Sequence, residues 1–285
     1  MNTNSKILVP IDFSNVSQAG LATAIDVMSK TNTDLVIFNV VEEPHTGSFK
    51  VDGDISARLA NQQEQGRYVI ELTKKRKREL ATLLSEYDLD SNRVESMIYV
   101  GQFQNVLESI VDERDDISLV IMGTSGETST SEFFRGNRAT QSARALDIPV
   151  LTVKGFEPVS NLKRLLLWVD KDKFINERMT TLSGLSNALD LQIVLLGVAH
   201  SMSEAPTLKH SLKTFAERNG FKNYEVMTMD DGDEIEKIAH TIKTGNYDAV
   251  ATLSNKTSGF MRLFVGDDIE EMINEMDVPV IAVTD

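Results

Sequence analysis

The sequence contains no cysteine. That excludes disulfide scaffolds, thiolate metal sites and cysteine nucleophiles, and it fits a reducing compartment. Histidine is scarce as well. His45, His200, His210 and His240 are scattered, with no HExxH pattern and no close pair, so no metal site is expected. No apolar run approaches the ~20 residues that a membrane helix needs. The opening MNTNSK leads directly into KILVPI, without the charged-then-apolar pattern of a signal peptide, so a cytoplasmic protein is expected. Positive charge is in deficit: 29 basic residues stand against 43 acidic ones, for a net charge of −14. A field of that sign repels nucleic acid and anionic membranes, and neither is expected as a partner. What remains, 285 residues of which 41% are hydrophobic and 25% charged, has the composition of a globular protein with one large or two modest domains.

The chain resembles itself. KILVPIDFS (6–14) is echoed by KRLLLWVDKD (163–172), DLVIFNVVE (34–42) by DLQIVLLGVA (190–199), and DISLVIMGTSG (116–126) by NYDAVATLSNK (246–256). IPVLTVK (148–154) is echoed by VPVIAVTD (278–285). The displacement is 158 from Asp12 to Asp170 and 156 from Asp34 to Asp190. It is 131 from Gly101 to Gly232, and 130 from Gly136 to Gly266 and from Pro149 to Pro279. One domain in two copies is expected, the second shorter between its second strand and the counterpart of Gly101. The boundary is expected near GFEPVSN (155–161), which gives domains 1–155 and 156–285.

Within the first copy ILVPI, LVIFNV, ESMIYV, LVIMG and PVLTV read as strands, nearly continuous in apolar residues as befits strands covered on both faces. Ser14 reads as the cap of a helix whose apolar stripe is Ala19, Leu21, Ala22, Ile25 and Met28. Residues 56–87, 103–113 and 138–146 are helical in pattern. The alternation of strand and helix predicts an α/β fold: in each copy, a doubly wound, mostly parallel five-stranded sheet. The basic run Lys74–Arg78 lies mid-helix between Glu71 and Glu79, where it reads as a solvated face, since neither copy is basic overall.

In an open parallel sheet a ligand sits beyond the C-terminal strand ends, where strand order reverses. Three loops converge there: Pro10-Ile11-Asp12, the turn after Val40 and Val41, and the segment Met122-Gly123-Thr-Ser-Gly126 followed by Gly136-Asn137-Arg138. Glycines permit close backbone approach, and a helix opening after Gly136 would favour an anion. A nucleotide is one occupant of such a shape; glycines that merely turn the chain are the other reading.

The VPxDxS start, the G-x2-G-x9-G loop and the PVL-type last strand resemble the universal stress protein family, over the first copy from strand 1 to strand 5 and more weakly over the second. The resemblance implies a tandem universal stress protein with Rossmann-like domains of the adenine nucleotide alpha hydrolase type, binding ATP or AMP, with Mg only alongside ATP. It also implies a sensing or regulatory role in stress, and final strands that pair across a two-fold axis: here 149–153 and 279–283, each otherwise a bare apolar edge, would pair within one chain as a pseudo-dimer. Asp12 would then meet the adenosine part, Val40 would touch adenine through its backbone, and Gly123, Gly126 and Gly136 would wrap ribose and phosphates. The family usually has Ser or Thr after the third glycine and another hydroxyl two residues on; here those positions hold Asn137 and Ala139. Arg135 and Arg138 are either phosphate ligands or solvated arginines at a helix start.

The second copy has Leu253 and Lys256 at the first two glycine positions, and Asp267 and Asp268 directly after Gly266. Those two carboxylates would satisfy a helix dipole from within and repel a phosphate. At most one nucleotide per chain is therefore expected, in the first copy. No Ser-His-Asp pattern, Walker lysine loop or paired carboxylate can be placed at the pocket, so no catalytic residue is assigned, and slow ATP hydrolysis is the most the site would support. A phosphorelay receiver would need an acid after strand 3, where the chain reads Tyr99-Val100-Gly101-Gln102. The main rival is a nucleotide-free protein-interaction module, either as the pseudo-dimer alone or as a homodimer.

Overall fold

The computed structural model describes residues 5–42, 55–124, 142, 146–155, 161–169, 179–230, 240–242, 244–253 and 278–283. In chain order the elements are β1 (Lys6–Pro10), α1 (Asn15–Lys30), β2 (Asp34–Val41), α2 (Ile55–Ser85), β3 (Val94–Val100), α3 (Phe103–Asp112), β4 (Ile117–Gly123) and β5 (Val150–Val153). They continue with β6 (Arg164–Trp168), α4 (Thr180–Ala188), β7 (Gln192–Ala199), α5 (Ala205–Arg218), β8 (Tyr224–Asp230), β9 (Ala249–Leu253) and β10 (Val280–Val283).

The strands run in the order β3-β2-β1-β4-β5-β10-β9-β6-β7-β8. All pairings are parallel except one: β5 and β10, the two final strands, pair antiparallel, with Leu151 opposite Ile281. Thr152 Oγ1 reinforces the seam by donating to the Val280 carbonyl at 3.2 Å. The five-plus-five parallel arrangement and the pairing of the last strands are thus as expected. The sheets expected as separate are the two halves of one ten-stranded sheet, because each final strand supplies the neighbour that the other lacks.

Strand pairing fixes the correspondence between the halves. Leu8 lies beside Val36 in the first half, as Leu166 lies beside Val194 in the second, both pairs displaced by 158. Asp34 therefore corresponds to Gln192, not to Asp190, which occupies a left-handed turn (φ 54°) ahead of β7. By β3 and β8 the displacement is 130, since Leu35 pairs with Val94 and Ile193 with Tyr224. The loss falls in one crossover: α2 has 31 residues and its counterpart α5 has 14.

The helices cover both faces. Leu21, Ala24 and Val27 of α1, Leu80 and Leu83 of α2, and Leu208, Leu212 and Phe215 of α5 lie over one face, in a core that runs unbroken past the β5–β10 seam. On the other face Phe103, Leu107 and Ile110 of α3 bury against Leu8, Val36, Phe38 and Val120. The basic run of α2 behaves as a solvated face: Lys74 pairs with Glu71, and Lys75 and Arg76 pair with Glu79. No helix among the described residues is long and apolar enough to cross a membrane.

Candidate functional site

In the first half the strand order reverses between β1 and β4: the chain winds outward through β2 and β3, then crosses back to β4 and β5. In a doubly wound sheet such a reversal is where a crevice opens beyond the C-terminal strand ends, here those of β1 and β4. Leu8 pairs with Val120, and continuing that register sets Pro10 level with Met122.

The chain leaves β1 in steps. Ile11 N–H still donates to the Phe38 carbonyl at 2.8 Å, and the Ile11 carbonyl accepts from Asn39 Nδ2 at 2.7 Å. At Asp12 it turns. One carboxylate oxygen, Oδ1, accepts from the Ser14 backbone N–H at 2.9 Å and from Ser14 Oγ at 2.5 Å. Phe13 between them has φ 69°, a left-handed conformation that this short local hydrogen-bonded turn holds in place. Ser14 then caps α1 as expected, its hydroxyl accepting from Ser17 N–H at 3.3 Å, while Ser17 Oγ accepts from Asp12 N–H at 3.3 Å. Asp12 is half-buried, and its carboxylate shapes the turn through Ser14.

The other described site residues offer backbone rather than side chain. Pro10, Ile11, Val40 and Met122 are buried, Val40 and Met122 on the α3 side of the sheet. Gly123 has a packing reason to be glycine. A Cβ there would lie 1.8 Å from the Val16 carbonyl oxygen, and one on Gly20 would lie 2.7 Å from Gly123 N. The two glycines let α1 lie directly against the end of β4. Gly126, Gly136, Asn137 and Arg138 lie outside the described residues, as do Asp170, Lys256, Gly266, Asp267 and Asp268 of the second half.

Leu253 stands where Gly123 does: Gly123 pairs with Val153 of β5, and Leu253 with Val283 of β10. Val169 N–H donates to the Leu196 carbonyl at 2.9 Å, which repeats the Ile11–Phe38 bond. The next position differs. Where β2 has Asn39, β7 has Gly197, whose missing side chain is replaced by Leu208 and Leu212 of α5, 3.0–3.1 Å from where a Cβ would sit. The sequence reading missed Asn39. Its signal is a lone amide inside the apolar run LVIFNVV.

Charges gather at the opposite, N-terminal end of the first half's strands. Lys6 pairs with Glu95 and with Asp116 (3.2 Å), and Arg114 pairs with Glu95 (2.8 Å) and Asp116 (2.9 Å). The hydrogen bond from Arg114, aided by Lys6, pulls the Asp116 carboxyl down to about 2, and Arg114 and then Lys6 lower Glu95. Under β6 the arrangement is less ionic. Arg164 donates to Gln192 Oε1 and the Gly245 carbonyl and lies 4.9 Å over the Tyr247 ring, while Asp248 accepts from the backbone N–H groups of Lys163 and Arg164. Among the described residues no group of three or more His, Asp or Glu side chains is placed to hold a metal ion.

Comparison with known proteins follows the fold. A universal stress protein from Archaeoglobus fulgidus DSM 4304 superposes with a TM-score of 0.68 at 15% identity, covering 99% of this chain and 98% of that one. A putative universal stress protein from Pseudomonas aeruginosa UCBPP-PA14 gives 0.51 at 13% identity, over 99% and 94%. The cytoplasmic domain of a prokaryotic cation chloride cotransporter gives 0.56 at 9% identity, over 99% and 95%. No curated protein matches the sequence. Residues 3–154, more than half of the chain, match the universal stress protein family. This chain belongs to the universal stress protein family.

Proposed function

We propose that this chain is a cytoplasmic, tandem universal stress protein that binds one adenine nucleotide, ATP or AMP, in its first copy and uses occupancy of that site to sense or regulate a stress response. The copies are residues 1–155 and 156–285. The nucleotide lies at the β1–β4 crevice against Pro10, Ile11, Asp12, Val40, Met122 and Gly123, with Gly126, Gly136, Asn137 and Arg138 of the following loop around its phosphates. Mg accompanies ATP only. The second copy serves as a partner fold without nucleotide, since Leu253, Lys256, Asp267 and Asp268 replace the close-approach glycines and the neutral helix start. No residue is assigned to catalysis, and slow hydrolysis of ATP is the upper bound on activity.

The supporting observation is the geometry of the β1 exit. Asp12 leaves the sheet at the strand-order reversal, held by Ser14, beside the backbone of β4. Mass spectrometry of small molecules released by denaturing freshly purified protein tests the reading. Adenine nucleotide in near-stoichiometric amount, lost on Asp12→Ala or on replacing Gly126 with a bulky residue, supports it. An empty protein that ATP and AMP both fail to bind overturns it in favour of a nucleotide-free interaction module.

A further inference from the structure

Asn39 is 2% exposed and sits in β2 among apolar neighbours. Its Nδ2 donates to the Ile11 carbonyl at 2.7 Å, while its Oδ1 has no hydrogen-bond partner among the described residues. A carbonyl can only accept, so the amide nitrogen must face Ile11 and the oxygen is left orphaned. A buried unsatisfied acceptor is unfavourable. The second half avoids it at the same register position by using Gly197 and filling the space with Leu208 and Leu212. The fold itself therefore does not require an amide here.

We infer that Asn39 is a positioning residue that fixes the Ile11–Asp12 peptide and thereby aims Asp12 into the crevice. Ile11 is held from both sides by β2: its N–H by the Phe38 carbonyl and its carbonyl by Asn39. The N–H of that same peptide unit, on Asp12, donates to Ser17 Oγ, and the Asp12 carboxylate is locked on Ser14. Among the described residues Asn39 is the one side-chain link in this chain that arrives from β2, 28 positions away in sequence. The role in nucleotide binding rests on the function proposed above; the effect on the turn does not.

Hydrogen–deuterium exchange and ATP calorimetry on the full chain test it. Asn39→Leu keeps the size and removes the donor. Asn39→His restores a donor, because imidazole Nδ1 stands at about the same distance from the backbone as the amide nitrogen. In Asn39→Leu the amides of residues 11–14 should exchange faster, those of β7 and β8 should be unchanged, and ATP should bind about tenfold more weakly, the worth of one hydrogen bond. Asn39→His should recover both. If Asn39→Leu fails to fold, Asn39→Ala carries the same measurements. Unchanged exchange over residues 11–14 overturns the inference, as does a histidine variant no better than leucine, or exchange that rises while ATP binds as in the parent. A parent protein that binds no nucleotide overturns the proposed function, and the exchange arm still decides whether Asn39 holds the turn.

Discussion

The two halves of the sheet share strand order and pairing register, yet they are finished differently at both ends. At the C-terminal rim the first half has Gly123 and Asn39 where the second has Leu253 and Gly197. At the N-terminal rim the first half has an alternating quartet of Lys6, Glu95, Arg114 and Asp116, whereas the second anchors Arg164 mainly on neutral groups and an aromatic ring. The centres of the inner strands β1, β2, β6 and β7 are apolar and interchangeable in kind. The lesson is that the apolar strand centres determine this fold, and the rims are free to diverge. A difference at a rim is therefore where function is to be sought, provided that packing does not already explain it.

Gly123 is the case where packing does explain part of the difference, and it gives the largest expected effect. Gly123→Ala places a Cβ against the backbone of Val16, which cannot rotate away. It should lower stability by about 3 kcal/mol, seen as a fall in the urea midpoint, before any ligand is considered. If Gly123→Ala were as stable as the parent, the glycine would be there for a ligand alone. Gly197→Ala should cost less, about 1 kcal/mol, because its neighbours are the ends of Leu208 and Leu212, which can shift. A larger loss than at Gly123 would reverse the reading of which half is packed more tightly at this rim.

The smallest expected effect lies in the ionic quartet. The folded Asp116 carboxyl titrates at about 2, below its ordinary 3.8, so the network is fully stabilising above about pH 4. Its contribution should fade as pH drops from 4 towards 2. The pairs are partly exposed, and the gain is about 1 kcal/mol or less. Asp116→Asn should therefore lower the melting temperature modestly at pH 7 and flatten its decline below pH 4. A mutant that keeps the parent's acid slope would show that other carboxylates carry it.

Much of the fold was legible because it depends on apolar runs. The five strands of the first half, the Ser14 cap and the long helix before β3 follow from periodicity and composition. The pairing of the last strands followed from the family resemblance, applied to two apolar edges in one chain. The register of the second half was less legible. Aspartates at 34 and 190 suggested a displacement of 156, but the true partner is Gln192, because strand pairing is set by apolar positions and not by the charged residue that opens a strand. Of the expected site residues, Pro10, Ile11, Asp12, Val40, Met122 and Gly123 lie at the C-terminal ends of the neighbouring strands β1, β2 and β4. Asn39 was visible only as a lone amide in an apolar run; its meaning depends on a contact with a residue 28 positions away and on its comparison with Gly197. The steric need for Gly123 was equally hidden, because α1 supplies it from across the strand end.

The central claim is that the halves are unequal as nucleotide sites. Isothermal titration of the nucleotide-stripped full chain with ATP, and separately with AMP, measures that directly. The account predicts one site per chain, lost on Asp12→Ala and unchanged on Asp267→Ala. Two equivalent sites, or one site that survives Asp12→Ala and disappears on a change within residues 253–268, would contradict it.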